Sequence, residues 1–178
     1  MNRDIIIPLS EDEIMNKKNY MRLHEYFSRH KRAARLLKGL NVAATLPAFI
    51  MYPLLLIRLF RKKDSGLGVS LLIPASSFIL VSVFRKAVNR KRPYESYGIP
   101  SLITKEKKGQ SFPSRHVFSS FLIAVLWLPV IPAAGIFLLL VSIFVALVRV
   151  IGGVHYVSDV VVGAVVGVLS GLISFLAK

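Results

Sequence analysis

The sequence predicts an all-α integral membrane protein, a helical bundle of about five transmembrane helices preceded by an N-terminal interfacial amphipathic helix. Three observations predict it. Hydrophobic residues make up 54% of the 178 residues and mean hydropathy is +0.59, too apolar for a soluble basic domain or a disordered chain. Charge is one-sided, with 24 Lys+Arg against 9 Asp+Glu. Yet four stretches, 41–57, 65–84, 117–148 and 160–177, carry no charged residue at all. A helix needs about 20 residues to cross a hydrocarbon core of about 30 Å. The basic residues therefore sit outside the bilayer, where they face a membrane surface and not nucleic acid.

Taken in order, residues 1–40 read as a basic amphipathic segment and residues 41–178 as one transmembrane domain. The first 15 residues hold four acids and a single short apolar run, Ile5 to Ile7, with no sign of a signal peptide. From Tyr20, the residues Leu23, Phe27, Ala34 and Leu37 recur at helical spacing, with Lys31, Arg32, Arg35 and Lys38 as a basic side. That pattern predicts a helix lying in the membrane interface against lipid phosphates. A solvated cytoplasmic helix is the alternative.

The first two charge-free stretches each predict one crossing. The third is 32 residues long and would extend about 48 Å as one helix. Pro129, Pro132 and Gly135 interrupt it, so it predicts two crossings joined by a turn at 128–133. The fourth gives the fifth crossing, where Gly163, Gly167 and Gly171 mark a helix-packing face. With no Cys, the chain has no disulfide framework and no thiol nucleophile or thiolate metal site.

Alternating crossings bring four polar helix ends to one membrane face. These are the end near Arg85, Arg90 and Arg92, the start near Pro113, Ser114, Arg115 and His116, the end at Arg149, and the start near His155 and Asp159. Asp159 follows His155 by four residues, so one helix face carries both, and the carboxylate can orient the imidazole as a nucleophile or base. Guanidinium groups at three points suit phosphoryl oxygens. A helix start at Ser114 offers unpaired N–H groups to an anion, and His116 there can donate a proton to a leaving oxygen. Taken singly, each residue has a plainer reading: an interfacial histidine, a juxtamembrane basic cluster, a helix-capping serine. Asp159 resists one, because an acid at a membrane helix start needs a partner. His24 and His30 carry no assigned chemistry. The set needs no metal and no cofactor.

These residues resemble the type 2 phosphatidic acid phosphatase family, related to the vanadium haloperoxidases. The family pattern K-x6-R-P, P-S-G-H, S-R-x5-H-x3-D is met by Arg85-x6-Arg92-Pro93, Pro113-Ser114-Arg115-His116 and Val148-Arg149-x5-His155-x3-Asp159. Arg85 stands for the usual Lys, Arg115 for Gly and Val148 for Ser, and the family usually has six core helices. The resemblance implies a metal-independent lipid phosphatase working through a phosphohistidine. His155 would be the nucleophile, Asp159 its orienter and His116 the acid and then base. Arg85, Arg92, Ser114, Arg115 (through its amide) and Arg149 would hold the phosphoryl group. It also implies a bell-shaped pH profile. The substrates implied are phosphatidate, phosphatidylglycerol phosphate, diacylglycerol diphosphate or a polyprenyl diphosphate such as undecaprenyl diphosphate. A non-catalytic binder of anionic lipid headgroups and a haloperoxidase-like enzyme are the alternatives.

Sidedness pulls two ways. The motif face carries 19 of the 24 Lys+Arg, which the positive-inside rule places in the cytoplasm. The resemblance implies the outer face of the plasma membrane, and that is the reading adopted.

Overall fold

The computed structural model describes residues 17–103 and 108–177. The acid-rich start of the 1–40 segment lies outside the described residues, as do Lys105, Lys107 and Lys178 of the charge count. Among the described residues every regular element is a helix: α1 (Lys17–Arg29), α2 (Lys31–Arg61), α3 (Leu67–Val88), the short α4 (Pro93–Tyr97), α5 (Arg115–Trp127), α6 (Pro132–Ile151) and α7 (Val157–Leu176). Four helical segments are long and apolar enough to cross a membrane: α2, the one starting at Leu67, α6 and α7. The chain is a multi-pass membrane protein. Phe49, Leu72, Leu80 and Leu140 point outward, as a lipid-facing belt requires.

The fifth apolar helix, α5, occupies the centre. Its 13 residues extend only about 20 Å, but α2, α3, α6 and α7 all pack on it. Val117, Phe118, Leu122, Ala124 and Leu126 are buried there. The turn to α6 falls at 128–131, within the predicted span, and Pro132 opens α6 at its first position. Between helices in lipid, close packing replaces the hydrophobic drive, and α7 lies directly on α5. A Cβ at Gly163 would come 2.7 Å from the Ser114 carbonyl, and one at Gly171 2.7 Å from Val125 Cβ.

Two helix boundaries shape the polar end, and the first differs from the sequence expectation. The predicted helix through Tyr20 and Leu37 breaks at His30, and Lys31–Lys38 form the first turns of α2, which runs through residues 40 and 41 without interruption. The helix formers Ala33, Ala34, Leu36 and Leu37 lead straight into the apolar run, and a lone Gly39 costs only about 1 kcal/mol. At the other boundary, α3 does not persist to Pro93. Asn89 takes a left-handed conformation (φ 45°) and its N–H closes on the Arg85 carbonyl. Arg92, held extended before Pro93, follows outside the helix. Arg85 and Arg92 therefore converge through a loop and not along one helix face.

A second cluster caps the polar end. Tyr20 of α1 is fully buried with Leu37, Tyr94, Leu102, Ile103, Val148 and Val154. Its hydroxyl donates to the Pro100 carbonyl at 3.0 Å. Its ring lies where a Cβ on Gly153 would be, and Gly153 takes φ +71°. The α6–α7 hairpin is thus clamped from above by the N-terminal helix.

Candidate active site

The site is assembled from four helix ends and one loop. The last turn of α3 buries Arg85, whose guanidinium holds the 110–113 loop. Nη1 donates to the Ser111 carbonyl at 3.2 Å and to that of Pro113, and Nη2 donates to the Gln110 carbonyl. Arg92 reaches the same loop from the other side, its Nε donating to the Gly109 carbonyl at 3.0 Å and Nη1 to the Val154 carbonyl at 3.5 Å. Glu95 Oε2 accepts from Gly109 N–H at 2.9 Å and fixes that loop further.

The N-termini of α5 and α7 meet here. Ser114 N–H donates to the Asp159 carbonyl at 2.9 Å, which the glycine contacts of α7 permit. Ser114 is the N-cap of α5 by position, yet its hydroxyl makes no capping bond. Arg115 and His116 follow as the first helical residues; His116 is exposed and Arg115 half-buried. Arg149 lies buried in the last turn of α6, and Val154 N–H returns to the Arg149 carbonyl at 3.2 Å across the glycine hairpin.

His155 and Asp159 are 2% and 0% exposed. His155 Nδ1 lies 3.3 Å from Asp159 Oδ2, which also accepts the Tyr156 N–H at 2.9 Å and the Ser111 hydroxyl. The Nδ1–H donated to the carboxylate leaves Nε2 as the free, basic nitrogen. Asp159 sits at the third position of α7, where an acid suits the helix dipole and the Tyr156 N–H. Burial pulls the His155 imidazole from 6.5 down to about 4; Asp159 pulls it upward through its hydrogen bond and charge, and Arg92 and Arg85 reinforce the lowering.

All eight residues singled out from the sequence gather at this end. Arg85 is within electrostatic reach of Arg92, Arg115 and Asp159, and His116 within reach of His155, Arg149 and Arg115. Among the described residues five buried side-chain polar atoms have no protein partner, and three of them are Arg85 Nε, Arg149 Nε and Ser114 Oγ. Buried donors in such surroundings are stabilised by an anion.

Two residues had been assigned no task in the site: Arg90, named only as part of its helix end, and Ser111. Arg90 donates to Asp159 Oδ1 at 3.0 Å and to Ser158 Oγ at 2.8 Å, with its guanidinium 4.1 Å from the Tyr156 ring centroid. Ser111 joins Asp159 and lies 3.4 Å from His155 Nδ1. Arg90 had a signal, since a buried lone acid calls for a cation beyond its histidine. Ser111 had none.

The model of the PAP2 superfamily matches residues 66–178. Among solved structures the chain is similar in fold to LpxE of Aquifex aeolicus, with a TM-score of 0.70 and 24% identity over 95% of this chain and 99% of that one. It is also similar to the first transmembrane PAP2 type phosphatidylglycerolphosphate phosphatase from Bacillus subtilis, with a TM-score of 0.59 and 21% identity over 89% of this chain and 91% of that one. No curated protein matches.

Proposed function

This chain belongs to the PAP2 superfamily, and on that premise we propose how, as a membrane lipid phosphatase, it cleaves phosphate from its substrate: through a phosphohistidine on His155. The observation that carries the proposal is the convergence of three buried, unpartnered donors, Arg85 Nε, Arg149 Nε and Ser114 Oγ, on the end of the bundle that holds the His155–Asp159 pair. A headgroup binder would use the donors but has no need of a carboxylate-backed imidazole.

In the proposed reaction Arg85, Arg92, Arg149, Ser114 and the Arg115 amide hold the phosphoryl oxygens. His155 Nε2 attacks phosphorus while Asp159 holds Nδ1–H. His116 gives its proton to the departing oxygen, then takes one from the water that cleaves the phosphorus–nitrogen bond. The substrate is a lipid because a cavity of about 720 Å³ between α2, α3 and α5 runs from His116 along Phe49, Tyr52, Leu71 and Ile79. Phosphatidate, phosphatidylglycerol phosphate and undecaprenyl diphosphate are the candidate substrates. The catalytic face is assigned to the outer side of the plasma membrane.

Phosphate release from a panel of these lipids, measured in detergent with EDTA present, tests the proposal. Release from at least one lipid that persists in EDTA is the expected result. Release that requires an added divalent ion would overturn the metal-independent mechanism.

The His155 environment sets a pH prediction. A lowered pKa keeps the imidazole neutral and nucleophilic above about pH 4, so the acid limb of the bell-shaped profile lies where pH falls through that value, and the alkaline limb belongs to loss of the His116 proton. The acid limb of kcat/KM, corrected for the substrate's own ionisation measured by phosphorus NMR, is expected below pH 5. An acid limb that remains near 6.5 would contradict this assignment.

A further inference from the structure

The side chain of Arg115 is not used by the mechanism above, which needs only its amide. It occupies the position where the family pattern has glycine. Arg115 and His116 both line the apolar cavity, and among the described residues that line it Arg115 is the only Lys, Arg, Asp or Glu. The guanidinium extends toward α3, with Nη1 3.4 Å from Ser82 Oγ and its carbon 5.6 Å from the Phe78 ring centroid. Arg115 is half-buried, and a guanidinium has five N–H donors, so one long hydrogen bond leaves most of its capacity for a ligand. Lys86 follows one turn after Ser82 on α3 and is exposed, adding positive charge to the same end.

The chemistry defines what belongs there. In an in-line displacement the leaving group departs opposite the attacking nitrogen, and here it departs toward His116 and the cavity. A lipid monophosphate loses a neutral alcohol on that side, which gives an arginine nothing to pair with. A lipid diphosphate loses a lipid monophosphate, whose anionic oxygens emerge beside Arg115 while the tail stays in the apolar cavity. A charge-assisted hydrogen bond at a membrane boundary strengthens as the bridging oxygen gains charge.

We propose that the Arg115 side chain forms a second anion subsite on the leaving-group side of His116, selecting lipid diphosphates over lipid monophosphates. This inference rests on the phosphatase reading of the same site. His155 Nε2 bonds to the terminal phosphorus as the bond from that phosphorus to the bridging oxygen breaks. The electron pair stays on the bridging oxygen, which takes the His116 proton, and Arg115 neutralises the remaining charge of the lipid monophosphate. Water then cleaves the phosphorus–nitrogen bond and releases inorganic phosphate.

The test compares initial rates on geranylgeranyl diphosphate and geranylgeranyl monophosphate, which share one tail, for the wild type, Arg115→Ala and Arg115→Lys. The wild type is expected to prefer the diphosphate in kcat/KM. Arg115→Ala should lower the diphosphate-to-monophosphate ratio by roughly tenfold or more, and Arg115→Lys should keep most of it. A ratio unchanged in Arg115→Ala, whatever the absolute rates, or a wild type without the preference, would overturn the proposal. Should Arg115→Ala not fold, Arg115→Gln gives the same comparison. His155→Ala separates the two readings: release that survives it defeats the phosphatase assignment, whereas release that depends on His155 with an unmoved ratio defeats only the Arg115 subsite.

Discussion

Replacing His155 with alanine is expected to lower phosphate release by at least about a thousandfold while leaving lipid binding within a few-fold of the wild type. In the proposed reaction the imidazole backed by Asp159 supplies the attacking nitrogen. The proposed anion-binding groups do not depend on His155 for their positions: Arg85, Arg92 and Ser114 bond to loop carbonyls and to the α7 backbone, and Arg149 is fixed in the last turn of α6. The fold should persist as well. Asp159 keeps Arg90, Ser111 and the Tyr156 N–H when the imidazole is gone. The measurement is kcat and equilibrium lipid-phosphate binding for both proteins in the same detergent, with an acid-labile, alkali-stable phosphoprotein trapped only in the wild type. A variant that still turns over at a tenth of the wild-type rate would exclude His155 as the nucleophile.

The second large effect is expected from Asp159→Asn, which should cut kcat by roughly a hundred- to ten-thousandfold with little change in KM. The carboxylate oxygen Oδ2 accepts from three groups at once and Oδ1 accepts from Arg90. An amide has one accepting oxygen, so either the Nδ1–H of His155 or the Arg90 guanidinium loses its acceptor. The imidazole then turns or takes the other tautomer, and Nε2 is no longer the free nitrogen. Stability also falls, since removing one partner of a buried ion pair costs about 3–5 kcal/mol; the lower end applies, because Arg90 is 11% exposed and keeps the Tyr156 ring. Arg90→Gln tests the same link from the other side. It leaves the His155–Asp159 bond in place, and its loss in kcat should be smaller than that of Asp159→Asn. A double-mutant cycle in which the two losses simply add would show that Arg90 does not act through Asp159.

Charge-free stretches made the helices legible, because a membrane crossing demands length and the absence of charge and little else. Helix ends were less legible. The basic run before residue 41 and the apolar run after it join in α2 with no residue that stops a helix between them, while Asn89 stops α3 four residues before a proline that also could have. The site residues were legible in kind, since alternation of crossings brings Arg85, Ser114, Arg149 and His155 to one end before any packing is known. Their individual tasks were not. Arg85 looks from its position like a phosphate clamp, yet both its terminal nitrogens hold the 110–113 loop and only Nε is without a protein partner.

By itself the sequence determined a membrane bundle, the end at which its polar residues gather, and the residue types gathered there, because hydropathy and crossing number act along the chain. Only the tertiary structure decided that Arg90 and Ser111 complete the Asp159 environment, that Ser114 is not spent on capping its helix, and that Tyr20 clamps the hairpin before His155. Those are contacts across 48 to 133 residues or more of chain, or bonds that a side chain does not make. Their partners are set by how closely α7 lies on α5, a distance that three glycines allow but only packing chooses.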